Sequence, residues 1–88
     1  MEKRRDDILQ RAREIMAQYT DRQIIPDPND TDQHVAAMHL LAQIRDRLRS
    51  EYDCDINVAR HQITTVVSER RKKYIVYGED GYYMDWNK

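Results

Sequence analysis

Eighty-eight residues with a formal net charge of −1 and 35% charged side chains make one domain, able to bury roughly 60 to 65% of its unfolded surface. Near-neutrality excludes a protein that coats nucleic acid indiscriminately, because such proteins carry a strong positive excess. A single cysteine, Cys54, excludes an internal disulfide and a CxxC metal site, which suits a reducing cytoplasm.

With two glycines and two prolines, the composition points to a helical globular chain. The start, MEKRRDD, leads into no apolar run long enough for a signal peptide, and no stretch approaches a membrane span. From about Arg5 to Tyr19, Ile8, Leu9, Ala12, Ile15, Met16 and Tyr19 recur at helical spacing and predict a first helix within residues 1–20. Residues 21–30 follow as an acidic, proline-containing loop. Within it, Ile24 and Ile25 are adjacent β-branched residues before a proline, and they favour a very short edge strand over a hydrophobic plug.

A second helix is expected over 31–53, capped by Asp30 or Thr31, with Asp30 and Gln33 placed as in a capping box. Its stripe comprises Ala37, Leu41, Ile44, Leu48 and Tyr52, flanked by Met38 and Leu40. The run DCDIN breaks it, and Asn57 is the expected cap of a third helix over about 58–72. Ala59, Ile63, Val66 and Val67 mark the inner side of that helix. His61, Thr64, Thr65, Ser68, Arg71 and Lys72 gather outside with Arg60 at the edge, while Arg70 falls on the apolar side. Short hydroxyls among long cations suit a helix in a DNA major groove, and equally an ordinary solvated face.

The C-terminal YIVYGEDGYYMDW reads as a hairpin over 74–87. Pairing Tyr77 with Met84 or with Tyr82 leaves Ile75, Tyr77, Met84 and Trp86 on one face, the expected core face. Tyr74, Val76, Tyr83 and Asp85 then lie on the other.

The fold class is therefore mainly α with a small β-hairpin (α+β), three helices followed by the hairpin. This order, and above all LRSEYDCDINVARHQITTVVSERRKKYIV, resembles winged helix-turn-helix DNA-binding domains. The resemblance implies a recognition helix within 57–73 and double-stranded DNA as partner. Arg60, His61, Thr64, Thr65 and Ser68 would then face bases, with Arg71, Lys72 and Lys73 on the backbone. It also implies a transcription regulator, with the N-terminal helix serving either as a homodimer surface or as the completion of the monomer core. Glu79 and Asp80 at the wing tip depart from the pattern, and they motivate the alternative of a protein-interaction module docking through the hairpin. No cofactor is expected. No metal site is expected either: His34 and His39 stand about 140° apart on a helix, and the acidic loop lacks the glycine and glutamate of a calcium loop. No nucleophile or acid–base motif suggests an enzyme.

Overall fold

The computed structural model describes Glu2 to Lys88, with side chains from Arg4 onward. Four helices precede an antiparallel hairpin: α1 (Glu2–Met16), α2 (Asp21–Ile24), α3 (Thr31–Tyr52), α4 (Ile56–Arg71), β1 (Ile75–Gly78) and β2 (Gly81–Met84). The α+β class expected from the sequence is the one observed. Met1, inside the expected span of the first helix, lies outside the described residues. Among the described residues no helix is long and apolar enough to cross a membrane.

Helix α4 occupies the centre because its apolar side is wide enough to meet two partners, α1 and α3. Ala59, Ile63, Val66 and Val67 bury there against Ile8, Ala12, Ile15 and Met16 of α1, together with Ile44 and Leu48 of α3. The apolar stripe of α1 is thus consumed inside the chain's own core, and the remaining surface of α1 from Arg4 onward is largely polar.

Local chemistry sets the ends of the elements. The Asp30 side chain accepts from Gln33 N at 3.1 Å and caps α3. Gln33 does not reach back to complete the expected box. Its Oε1 accepts from Asp27 N at 2.7 Å, and its Nε2 donates to the carbonyls of Ile25 and Arg22. One side chain thereby satisfies three backbone groups of a loop that has no ladder of its own. At the other end Asp53 adopts a left-handed cap with φ 49°, and Arg4 donates to the carbonyls of Tyr52 and Asp53.

Four expectations are corrected. Ile24 and Ile25 form no strand; they end a one-turn helix and are both fully buried. A strand edge would show one side chain to each face, whereas a helical turn followed by an extended Ile25 turns both inward. Helix α1 ends at Met16 rather than Tyr19. Helix α4 starts at Ile56 because Asp55, not Asn57, is its cap, accepting from Asn57 N at 3.0 Å.

The fourth correction concerns the hairpin. Tyr77 pairs with Tyr82 and Gly78 with Gly81, leaving Glu79 and Asp80 at the tip and Gly81 at φ 121°, where a side chain would be strained. Met84 is buried and Ile75 and Trp86 are half-buried, but Tyr77 is 77% exposed. Tyr77 lies two residues beyond Ile75, about 7 Å further along the strand, and the hairpin has by then left the helices. Tyr74, expected outside, packs against the core instead, its ring 5.1 Å from that of Trp86.

Trp86 fastens the hairpin root to the acidic loop. Its Nε1 donates to Asp27 Oδ2 at 3.0 Å, while Asp27 Oδ1 accepts from Asn29 N. Asp27 is buried, so losing the indole removes both packing and a bond to a desolvated carboxylate. Trp86→Ala should cost about 2 to 3 kcal/mol, measured as a lowered urea midpoint. A parent-like midpoint would show that the hairpin root contributes nothing to the core.

Candidate interaction groove and basic helix face

The outer side of α4 is the reverse of its core stripe, so the same 3.6-residue period that buries Ala59, Ile63 and Val66 exposes Arg60, His61, Thr64 and Lys72. Ser68 and Arg71, half-buried, continue this face. Two of the eight expected DNA-contacting residues make side-chain contacts within the chain. The Thr65 hydroxyl donates to His61 O at 2.9 Å and is engaged by its own helix. Lys73, beyond the end of α4, meets Asp21 Oδ2 at 3.2 Å and sits over the Tyr74 ring.

Arg70 resolves its awkward place on the apolar side by serving another helix. Its Nη1 donates to Met16 O, the last carbonyl of α1, at 2.6 Å, and its Nη2 donates to Tyr19 O in the turn that follows, at 2.8 Å. Its Nε donates to Asp21 Oδ1 at 2.6 Å, and the Tyr74 hydroxyl donates to Asp21 Oδ2, also at 2.6 Å. Burial pushes the Asp21 carboxyl up, but the bonds from Tyr74, Arg70 and Lys73 together hold it below its ordinary value. Asp21 in turn raises the Lys73 and Tyr74 pKa values. This cluster is structural, and it pairs two of the five cations between Val58 and Lys73, the half-buried Arg70 and the exposed Lys73, with a carboxylate of the chain.

Two of the remaining three, Arg60 and Arg71, border a groove. Three successive turns of α3, at His34, Met38 and Leu41 to Arg45, form one wall; Arg60, Thr64, Ser68 and Arg71 of α4 form the other. Leu41, Ile63 and Val67 contribute an apolar floor, and Pro26, Pro28 and Tyr82 line it as well. The cavity measures about 550 Å³. No carboxylate lines it. Arg45 pairs with Asp46 at 3.0 Å; among the described residues Arg60, Arg71 and Lys72 form no ion pair. The Arg71 guanidinium instead lies 5.7 Å from the Tyr82 ring centroid.

Exposed apolar groups collect around this groove. Met38 is 50% exposed on its α3 wall, with Val35 one turn away, and Tyr82 stands edge-on to Tyr77 on the hairpin. Sequence reasoning placed Met38 and Leu41 in the buried stripe and so missed the α3 wall. The signal was the width of that stripe: Ala37, Met38, Leu40, Leu41, Ile44 and Leu48 cover more of the helix circumference than one neighbouring helix can cover.

Comparison with protein-family models, with curated proteins and with solved structures finds no match to this chain.

Proposed function

We propose that the protein is a non-enzymatic interaction module that receives a segment of a protein partner in the groove between α3 and α4. The observation that carries this reading is the groove itself: concave, about 550 Å³, apolar at its floor and lined by cations at its rim. Binding sites for peptides and ligands share this form, a desolvatable floor with a few placed polar groups. The exposed Met38, Tyr77 and Tyr82 extend the contact surface onto the hairpin, as the interaction reading of the acidic wing expects. A reducing cytoplasm, which suits a half-buried free Cys54, belongs to the same proposal.

A second reading is favoured by the exposed, unpaired Arg60 and Lys72: a winged-helix DNA-binding regulator with Arg60, His61, Thr64 and Ser68 at base edges and Arg71 and Lys72 on phosphates. The hairpin tip weighs against it, because Glu79 and Asp80 carry the phosphates' own sign.

Two measurements separate the readings. Peptides selected from a random library against the whole chain should shift the amide resonances of Met38, Thr64 and Ser68. Duplex of random sequence should fail to bind in about 50 mM salt, whereas a DNA binder touching about four to six phosphates would bind with a log-log salt slope near −4 to −5. Duplex binding with that slope, abolished by Arg60→Ala, would replace the first reading with the second.

A further inference from the structure

Resting on that interaction reading, we propose that the occupant of the groove is an acidic amphipathic helix of a protein partner. Its apolar residues face Leu41, Ile63 and Val67, and carboxylates about three turns apart meet Arg60 and Arg71.

The sign follows from the lining. Arg45, Arg60 and Arg71 border the groove without a carboxylate among the lining residues, and among the described residues Arg60 and Arg71 have no ion pair. A basic or neutral segment would desolvate these guanidinia with nothing in return, whereas a carboxylate offers the bidentate geometry that a guanidinium fits.

The conformation follows from what the walls lack. Both are helices, whose backbone N–H and C=O groups are already paired internally, so between its ends the groove offers side chains only. An extended segment pressed onto the apolar floor would bury its own amides and carbonyls without partners, a loss for each group. A helix brings its backbone bonds with it and presents one apolar stripe at i, i+3 or i+4, and i+7, the pattern of helix-in-groove recognition.

The spacing follows from α4. Arg60 and Arg71 are eleven residues apart, which returns to nearly the same side of the helix about 16 Å further along. A partner helix lying along the groove therefore matches both arginines with carboxylates about eleven residues apart, with its apolar stripe between them. Phosphate groups of a nucleic acid would satisfy the arginines equally, but they make no use of the apolar floor or of the half-exposed Met38.

The test uses the full chain and two labelled sixteen-residue probes read by fluorescence anisotropy. One carries leucines at positions 3, 6 and 10 with glutamates at 2 and 13, about 60° round the helix from the leucine stripe; the other has both glutamates replaced by lysine. The acidic probe should bind and become helical by circular dichroism, and the lysine probe should bind at least about thirty-fold more weakly. The double variant Arg60→Glu/Arg71→Glu should reverse that preference, and Met38→Asp should weaken the acidic probe about ten-fold. Arg49→Glu, an exposed α3 position outside the groove, should change nothing. Thermal melts of each variant separate lost binding from lost folding, and all four positions are exposed or half-buried.

Equal binding of the two probes, or an acidic probe indifferent to charge reversal at Arg60 and Arg71, overturns the proposal. Library-selected peptides that shift groove resonances but are uncharged, or bind extended, overturn the acidic helix and leave the groove as an interaction site. If no peptide perturbs the groove, both readings of it fall.

Discussion

Arg70→Ala is expected to lower folding stability by about 3 kcal/mol, since breaking a largely buried ion pair leaves the Asp21 carboxylate with only Lys73 and the Tyr74 hydroxyl as partners. Arg70 touches Asp21, Met16 O and Tyr19 O at 2.6 to 2.8 Å, so its loss opens the end of α1 and the start of α2 together. Both side chains retain some exposure, 24% and 17%, which holds the figure at the lower end of the buried range. Arg70→Lys should recover less than half, because one ammonium cannot serve three acceptors held in the fork of a guanidinium. The deficit is read from urea midpoints at unchanged m-value.

The same pair sets a pH dependence. Asp21 is depressed in the folded state from an ordinary value of 3.8, so the unfolded chain binds its proton first. The stabilisation is complete above that value and disappears as pH falls through and below it toward the folded pKa. Parent and Arg70→Ala stabilities should therefore differ most near neutrality, and the gap should narrow as pH falls below the ordinary carboxyl value of 3.8. A gap that persists unchanged into acid would mean that Arg70 acts through its bonds to the Met16 and Tyr19 carbonyls and the packing of its stem, not through Asp21.

Ile24→Ala and Ile25→Ala are each expected to cost about 2 to 5 kcal/mol, the range for emptying a fully enclosed aliphatic site. Both side chains are 0% exposed although they belong to a one-turn helix and its cap. A chain of this size holds only about 4 to 13 kcal/mol in total. The double variant should then lack a cooperative thermal transition, while Val35→Ala, at a half-exposed site on α3, should stay within about 0.5 kcal/mol of the parent. A near-neutral Ile24→Ala would show that α2 is a surface turn rather than a plug beneath the loop.

These two sites mark where sequence reasoning stops. The stripe of α3 repeats over five turns, and the position of Asp30 before it is legible without any tertiary knowledge. Four residues of α2 cannot display a helical period at all, and adjacent β-branched residues before a proline have the local preferences of a strand. Hence α2 was invisible. The hairpin was visible through its glycines and tyrosines, but the burial of Tyr77 depended on how far the helices reach beneath it, and they stop short.

The candidate site divides in the same way. That Arg60, His61, Thr64, Ser68, Arg71 and Lys72 share the outer side of α4 follows from angular spacing alone. The loss of Lys73 and Arg70 to Asp21 does not, because Asp21 precedes Arg70 by 49 positions.

By itself the sequence determined the helices α1, α3 and α4, the hairpin and the polarity of α4, because periodicity, caps and turn chemistry act over a few residues along the chain. Tertiary structure alone decided which cations are free and which part of the wide α3 stripe stays uncovered. Both depend on side chains brought together from distant positions: Arg70 leaves the surface only because the end of α1 arrives beside it, and Met38 and Leu41 line a groove only because α4 covers one side of their helix and leaves the other open.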